Sequence, residues 1–288
     1  MSPDIPYSAA QDDLFNPGRR DGFSSPKPQS DAALCAEMAR LAYCRMEPDF
    51  GFDRERIQEI LKRVDFTNCH FFESLGTARG EGVHGFLALR ENDKLAVAAF
   101  RGTDAKDISD VAYDADFRLV QWPKGGEVHE GFAHALGKLQ PTLEPALKDV
   151  EAYRMLVTGH SLGAAMATLQ ASLYAPGALY TFGCPRVGDA EFVATLGDTK
   201  SYRYVDCCDL VARIPPEIGY RHVGEPYYID RSRQVRFAPQ TPWVWWDRFR
   251  AEADYLTTAA LKLGNVGVRS LADHAPINYV WPVKASQP

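Results

Sequence analysis

One stretch of the sequence restricts the possible folds more than any other: residues 155–185 contain no Asp, Glu, Lys or Arg. A run of this length is long enough to span a membrane, for which about 20 apolar residues are sufficient. However, the run includes the polar residues His160 and Ser161 and is broken at Pro176-Gly177. We therefore interpret it as the charge-free centre of a buried protein core.

The segments in and around this run alternate between strand-like and helix-like patterns. Residues 153–158 and 178–182 are short apolar runs typical of buried strands, and a further strand is expected at 201–205. Residues 162–174 and 190–196 between them have helical patterns. Since strands covered on both faces have this continuous apolar character, the order predicts an α/β fold with a mostly parallel central sheet and helices on both faces.

Apolar spacing and turn residues predict further elements on the amino-terminal side of this unit. The elements are helices at residues 33–45 and near 57–64, a hairpin of strands 83–90 and 95–101, and a helical segment 129–149 interrupted at Pro141. In such a sheet, functional side chains are expected at the carboxyl ends of the parallel strands.

The first 30 residues have a different composition, with five prolines and five serines and no apolar signal-peptide core. We interpret residues 1–30 as a Pro/Ser-rich N-terminal extension and residues 31–288 as a single domain. This composition predicts a cytoplasmic protein, or one exported without a cleaved signal peptide.

Charge and cysteine usage argue against several classes of function. The chain has 38 acidic and 32 basic residues, a formal net charge of -6, so no nucleic-acid partner is expected. The six cysteines form neither a disulfide-framework spacing nor a CxxC pair, and the sequence lacks the GxGxxG and GxxxxGK[ST] phosphate-binding motifs. We therefore expect no cofactor and no metal.

The sequence Gly159-His160-Ser161-Leu162-Gly163 fits the pattern G-x-S-x-G at the junction of a predicted strand and a predicted helix. That arrangement is typical of a nucleophile elbow, a turn so tight that the residues two before and two after the serine must lack bulk. Ser161 is therefore the candidate nucleophile. The alternative interpretation is an ordinary glycine-containing turn with an incidental serine.

A serine nucleophile needs a base, and two histidines follow it in the chain. His222 lies in a predicted strand or turn, where a packed, hydrogen-bonded histidine is the favoured interpretation. His274 lies in a loop, Asp273-His274-Ala275-Pro276, before the last predicted element. A loop beyond the edge of the sheet can bring a base over the serine, so we favour His274.

The base must in turn be oriented by an acid, for which Asp189, Asp206 and Asp209 are the candidates. Asp189 follows Gly188 and is typical of a helix cap. Asp206 and Asp209 both follow the strand predicted at 201–205, and either can reach the top of the sheet. The residues alone favour Asp209 only modestly over Asp206.

The sequence resembles the class 3 lipases of the α/β-hydrolase superfamily, which include lipases of filamentous fungi. The resemblance covers most of residues 80–280 and rests on blocks that occur in the family's order. These blocks are Ala99-Phe100-Arg101-Gly102-Thr103, Val128-His129-Glu130-Gly131-Phe132, residues 157–163, residues 180–189, and residues 206–216 followed by 220–228.

The resemblance implies roles for individual residues. Ser161 would be the nucleophile, Asp209 the acid, and His274, ahead of Tyr279, the base. The family usually has a proline where Ala212 stands, a departure that leaves the acid assignment intact.

Two backbone N–H groups are expected to stabilise the oxyanion that forms when an ester carbonyl is attacked. The N–H of Leu162 is one of them because it directly follows the nucleophile. The N–H of Thr103 is the second, as the resemblance implies, and its hydroxyl is a further candidate donor.

The function expected from this reasoning is that of a serine carboxylester hydrolase, a lipase that cleaves acylglycerols or related lipids through an acyl-enzyme intermediate. Phospholipase or short-chain esterase activity would use the same three residues. A catalytically silent lipid-binding module is the alternative from a different class. The expected partners are a lipid or ester substrate and a transient lipid–water interface.

Two segments outside the motifs are candidates for contact with substrate. In residues 104–120, Ile108, Val111, Ala112, Ala115 and Leu119 share one helical face, and the segment resembles the lid of related lipases; an ordinary surface helix has the same pattern. Trp243, Trp245, Trp246 and Phe249 could fill the core, contact a membrane interface or line an acyl pocket. We interpret this tryptophan-rich segment as an insert between acid and base that shapes the acyl-binding cleft.

Overall fold

A computed structural model describes residues 5–17, 22–24, 27–46, 51–74, 82–103 and 117–286 of the chain. The strands in these residues are β1 (Asn68–Ser74), β2 (Val83–Arg90), β3 (Leu95–Phe100), β4 (Leu119–Gln121), β5 (Glu127–His129), β6 (Arg154–His160), β7 (Ala178–Phe182), β8 (Ser201–Asp206), β9 (Pro226–Ile229) and β10 (Val235–Phe237).

Eight of these strands form one sheet in the order β1-β2-β3-β6-β7-β8-β9-β10, and β4 pairs with β5 separately. The strands from β3 to β9 in this order are parallel, whereas β1, β2 and β10 are antiparallel to their neighbours. The sheet is therefore mostly parallel, as predicted, with antiparallel strands at both edges.

Helices connect the strands and cover the sheet. They are α1 (Gln11–Phe15), α2 (Asp31–Leu41), α3 (Arg54–Lys62), α4 (Glu130–Gly137), α5 (Gln140–Lys148), α6 (Leu162–Leu173), α7 (Ala190–Ala194), α8 (Thr241–Thr258), α9 (Arg269–Ala272) and α10 (Pro276–Ala285). Several of these helices have a side-chain cap at the N-terminus. At the start of α2, for example, the hydroxyl of Ser30 accepts from the amide of Ala33.

Most elements predicted from the sequence are present, with small differences in their bounds. The strands expected at 83–90 and 178–182 have the predicted ends, and the helix expected at 162–174 ends one residue earlier. The helical segment 129–149 is two helices, because Pro141 occupies the first turn of α5, where proline is tolerated. The strands β1, β4, β5, β9 and β10 were not predicted.

The absence of charge in residues 155–185 follows from burial on both faces of the sheet. In β6, Leu156 belongs to the core on one face, whereas Met155 and Val157 belong to the core on the other. Every residue of β7 is buried, as are nine of the twelve residues of α6. Considering only the part of the chain that the structure describes, no helix combines the length and the hydropathy needed to cross a membrane.

Residues 5–17 lie against the carboxyl-terminal part of the domain, and we call them the N-terminal strap. The amide of Gln11 donates to the carbonyl of Gly264, and the amide of Val266 donates to that of Ala9, both at 2.8 Å. Leu14 is buried in the same core cluster that contains α2 and α10 side chains. Part of the predicted extension is thus packed next to residues 264–278.

Candidate active site

Ser161 lies at the turn between β6 and α6, with a φ of 59° and a ψ of -129°. A positive φ is strained for a non-glycine residue, and such strain is concentrated at functional sites. The two glycines of the motif permit the turn. A Cβ at Gly159 would lie 2.2 Å from the carbonyl oxygen of Gly163, and one at Gly163 would lie 2.1 Å from that of Phe100. The predicted strand–turn–helix arrangement is therefore present.

The side chains of Asp209 and His274 meet beside this turn although they are 65 residues apart in the chain. Nδ1 of His274 donates to Oδ2 of Asp209 at 2.8 Å, and both side chains are buried. The ring of His274 packs against that of His160, which precedes Ser161, with 4.4 Å between ring centroids. The structure thus joins the predicted acid and base by a hydrogen bond and places the base against the residue that precedes Ser161.

The other ring nitrogen of His274, Nε2, has no hydrogen-bond partner among the residues that the structure describes. In a neutral imidazole whose Nδ1 carries the proton, Nε2 is the acceptor. The hydrogen bond to Asp209 selects this tautomer. His274 is therefore prepared to accept a proton at Nε2.

Tyr279 orients the carboxylate of Asp209. Its hydroxyl donates a short hydrogen bond to Oδ2 of Asp209 and accepts from the amide of Asp206 at 3.1 Å. Gly183, with a φ of 57°, allows this approach, because a Cβ there would lie 2.7 Å from Asp209 Oδ2 and 3.1 Å from Nδ1 of His274. A glycine is required at this position for both conformation and space.

His160 supports the ring of the base from below the turn. Its Nδ1 lies 2.7 Å from the hydroxyl of Tyr43, a residue that follows α2. Burial, and then the neighbouring His274, lower the pKa of His160 well below its ordinary value of 6.5. His160 is therefore neutral in the folded protein and packs against His274 without adding a positive charge.

This burial of a neutral histidine predicts a pH-dependent stability. Near pH 6.5 the unfolded chain takes up a proton at His160 that the native state excludes, so the unfolded state binds more protons. The free energy of unfolding should then decrease as the pH falls from about 7 to about 5, by up to about 1.4 kcal/mol per pH unit from this residue. Urea unfolding across this range should show a shallower decrease for His160→Gln; an identical slope would contradict the prediction.

A cavity of about 210 Å³ opens beside Ser161 and is also lined by Thr103 and Leu162, the predicted oxyanion residues. Leu162 is the first residue of α6, where backbone N–H groups have no acceptor within the helix. Gly102 brings the Thr103 segment against the turn, since a Cβ there would lie 2.6 Å from the carbonyl oxygen of His160. The rest of the lining is mostly apolar: Phe117, His129, Gly131, Phe132, Pro185, Val211, Ile214 and Pro215.

The remaining acid and base candidates have other partners. Nε2 of His222 lies 3.0 Å from the carbonyl oxygen of Ala212, and His222 is not among the residues that line the cavity. Asp206 is bound by the guanidinium of Arg233 at 2.8 Å. Asp189 caps α7 by accepting from the amide of Phe192, as its position after a glycine predicted.

Asp273 connects the loop that carries the base to the loop that carries the acid. Its Oδ2 accepts from the amide of Cys208, the residue before Asp209, at 2.9 Å, and from Nε of Arg269 at 3.2 Å. Its Oδ1 accepts from the hydroxyl of Tyr7 in the N-terminal strap at 2.8 Å. One buried carboxylate therefore links three segments directly behind the Asp209–His274 pair.

The N-terminal strap makes a second connection to this region. The side chain of Asn278 accepts from the amide of Ser8 at 2.9 Å and donates to its carbonyl at 2.8 Å. The centre of the Tyr7 ring lies 5.2 Å from the guanidinium of Arg233 and 5.3 Å from that of Arg269. The strap thus covers a buried cluster of ion pairs.

The two segments predicted to contact substrate have different outcomes. Most of the lid-like segment, residues 104–116, lies outside the described residues, and Leu119, predicted to share its helical face, lies in strand β4 instead. The prediction that the tryptophan-rich segment shapes the cleft is wrong for the described cavity, because none of its side chains lines that cavity. Instead Trp243 packs against Tyr228, and Trp245 and Trp246 are 71% and 52% exposed.

Within the described residues, one group of side chains is close enough to hold a metal ion: Cys207, Cys208 and Asp273, all buried. The hydrogen bond with Cys208, together with burial, raises the pKa of Cys207. Metal binding needs the thiolate form, which this environment disfavours. The oxygen of Asp273 is also already used by the Cys208 amide and by Arg269. The arrangement therefore does not favour a metal.

Comparison with known sequences identifies the relatives of this chain. Residues 97–219 match the family described as Lipase (class 3). The chain is 34% identical over 164 residues to a lipase of Rhizomucor miehei, covering 51% of this chain and 45% of that protein. It is 37% identical over 118 residues to a secreted mono- and diacylglycerol lipase of Fusarium solani, covering 37% and 35% respectively. The chain therefore spans about half the length, or less, of these two relatives.

Comparison with solved structures identifies the fold. The crystal structure of a lipase from Rhizopus microsporus var. chinensis aligns with a TM-score of 0.60 over 95% of both chains, at 24% sequence identity. Together with the mostly parallel sheet and its covering helices, this similarity confirms the α/β-hydrolase fold predicted from the sequence.

Proposed function

We propose that this chain is a serine carboxylester hydrolase of the class 3 lipase family, which residues 97–219 match, and that it acts on acylglycerols or related lipids. One observation carries the proposal: Ser161 lies at a strained strand-to-helix turn beside a buried His274–Asp209 hydrogen bond. A serine nucleophile needs a base with an oriented imidazole, which this arrangement supplies.

The proposed reaction begins with attack of Ser161 Oγ on the ester carbonyl. Nε2 of His274 accepts the serine proton, and the carboxylate of Asp209 stabilises the imidazolium that forms. His274 then returns the proton to the alcohol that leaves, which gives an acyl-enzyme. A water molecule, activated by the same histidine, releases the carboxylic acid and restores the serine.

The negative charge on the carbonyl oxygen would be stabilised by backbone N–H groups. The N–H of Leu162 lies at the positive end of the α6 dipole, and Thr103 lies on the same cavity. In enzymes of this kind, removing one such donor lowers the rate by roughly 10²–10³-fold. We propose Leu162 and Thr103 as the oxyanion-hole residues.

The wall of the cavity supports an acyl chain as the group bound next to the serine. Phe117, Phe132, Leu162, Val211 and Ile214 offer apolar surface, and no Lys or Arg lines the cavity within the described residues. Burying a methylene group against such a wall is worth about 0.8 kcal/mol. A lipid ester is therefore a better substrate for this site than a small charged ester.

A fluorophosphonate probe tests the proposal directly, because it reacts covalently with an activated serine. We expect rapid labelling of the wild-type protein at Ser161 and none of Ser161→Ala. Ser172, a half-buried serine whose hydroxyl donates to the carbonyl of Leu169, provides the matched control, and Ser172→Ala should be labelled like the wild type. Absence of labelling in the wild type would contradict the proposed enzymatic activity and favour a catalytically silent lipid-binding module.

Substrate assays separate the activities that share this chemistry. We propose a preference for emulsified acylglycerols over phospholipids and over short, soluble p-nitrophenyl esters. A preference for the short esters would mean that the protein is an esterase and not a lipase. A preference for phospholipid would identify a phospholipase with the same catalytic residues.

A further inference from the structure

The helix α8 exposes an apolar stripe on the side that faces away from the domain. Its buried residues Asp247, Ala251 and Tyr255 recur every four positions and hold the helix against the protein. On the opposite side, Trp245 and Phe249 are each 71% exposed and Leu256 is 59% exposed. The exposed side of the helix is therefore mostly apolar, with the partly buried Glu252 between Phe249 and Leu256 as the exception.

This stripe is concentrated in one part of the molecule. Trp246 lies next to it, and it continues after the helix with Leu261 and Leu263, which are almost fully exposed. Six of the ten large hydrophobic side chains that are exposed in the described residues lie between positions 245 and 263. Exposed apolar residues concentrated in one segment in this way indicate an interaction surface. We call these six residues the α8 surface.

The orientation of the α8 surface is fixed by hydrogen bonds to the rest of the domain. The Arg248 side chain donates to the carbonyl of Cys207 at 2.8 Å, and Arg269 donates to the carbonyl of Ala251 at 3.2 Å. The hydroxyl of Tyr255 donates to the carbonyl of Val266 at 2.5 Å. The helix cannot turn its tryptophans inward without breaking these contacts.

The charges around the α8 surface indicate what it contacts. Residues 230–263 contain six basic and four acidic residues. Their net charge is therefore +2, whereas that of the whole chain is -6. The guanidinium of Arg250 lies 5.2 Å from the centre of the Trp246 ring, and that of Arg231 lies 5.8 Å from it. Arg231 is also paired with Asp254 at 3.1 Å. Tryptophan rings flanked by arginines suit the boundary between lipid tails and phosphate headgroups.

We propose that the α8 surface docks the protein on a phospholipid surface, with Trp245, Phe249 and Leu256 inserted among the headgroups and Arg250 at the phosphates. The inference rests on the proposed function, since lipid esters are presented at such surfaces. Apolar insertion supplies most of the binding, because the net charge of the chain is negative. This surface is separate from the cavity beside Ser161, none of whose lining residues belongs to α8.

Partitioning onto vesicles tests this proposal independently of hydrolysis. The wild-type protein should bind phosphatidylcholine vesicles with a blue shift of tryptophan fluorescence, and bind more tightly when phosphatidylglycerol is included. The triple variant Trp245→Ala, Phe249→Ala, Leu256→Ala should partition at least about tenfold more weakly. Met46→Ala removes an exposed apolar side chain elsewhere and should bind like the wild type. Arg250→Gln should weaken binding to the phosphatidylglycerol vesicles by roughly fivefold.

The outcomes distinguish this inference from the proposed function. The triple variant should retain wild-type hydrolysis of a soluble p-nitrophenyl ester and lose activity on emulsified lipid. Wild-type protein that binds vesicles but hydrolyses no ester would contradict the proposed function and leave the docking surface in place. Equal vesicle binding by the wild type and the triple variant would overturn the inference. So would a dimer that the triple variant dissociates without any change in vesicle binding.

Discussion

Replacing His274 with alanine is expected to lower kcat for ester hydrolysis by about 10⁶-fold, because the base and the nucleophile act as a unit. Replacing His222 with alanine should retain much of the activity. Both histidines follow Ser161 in the chain, but Nδ1 of His274 donates to Asp209, whereas Nε2 of His222 lies next to the carbonyl oxygen of Ala212. The two variants therefore remove the same side chain in two different environments.

The comparison is made with a soluble ester, so that binding to a lipid surface does not affect the result. Steady-state kinetics of both variants, together with the rate of fluorophosphonate labelling at Ser161, separate loss of the base from loss of folding. His274→Ala should fold, with an unchanged far-ultraviolet circular dichroism spectrum, and be labelled slowly. If His222→Ala were inactive and His274→Ala active, the base would have to be assigned to His222.

The parallel centre of the fold could be predicted because its physical signal is local. Strands buried on both faces must be apolar at every position, so β7 was predicted with its observed ends. The edge strand β10 carries no such signal, since it is partly exposed at Val235 and exposed at Arg236 and Phe237. Edge strands of this kind depend on pairing with a neighbour more than on their own residues.

The candidate nucleophile was predicted from its motif, whereas the residues that support the candidate site were not. Gly159 and Gly163 are required by the turn itself, so the requirement is visible in the sequence. Tyr7 and Asp273 are 266 residues apart, and nothing in either segment indicates that they touch. The contact of Tyr43 with His160 is likewise a consequence of the tertiary fold.

The position of the tryptophans illustrates a further limit of sequence patterns. Trp243, Trp245 and Trp246 were predicted to shape the acyl-binding cleft, with core filling and contact with a membrane interface as the alternatives. The period of α8 places Asp247 inward and Trp245 outward, so a buried carboxylate occupies the position expected for an apolar residue. Asp247 is retained there because it accepts from the Tyr228 hydroxyl and the Arg231 amide, both at 3.0 Å.

Replacing Asp273 with alanine is expected to lower the free energy of unfolding by about 3–5 kcal/mol, because it leaves the buried guanidinium of Arg269 without its carboxylate. The Cys208 amide and the Tyr7 hydroxyl lose their acceptor in the same step. Asp93→Ala is the matched control, since Asp93 is paired with Arg90 at 2.7 Å at the surface, where such a pair contributes at most about 1 kcal/mol.

Urea unfolding measures the stability of both variants, and kcat on a soluble ester measures the position of the acid and the base. At a temperature where Asp273→Ala is folded, its kcat should be roughly 10–100-fold lower, because the loops of Asp209 and His274 are no longer joined.

Asp273→Asn keeps an oxygen acceptor and the shape of the side chain, and provides the comparison if the alanine variant does not fold. Tyr7→Phe removes one hydrogen bond and keeps the ring near its two arginines. It should therefore lower the free energy of unfolding by only about 1 kcal/mol. Wild-type stability and kcat in Asp273→Ala would show that this carboxylate does not position the catalytic loops.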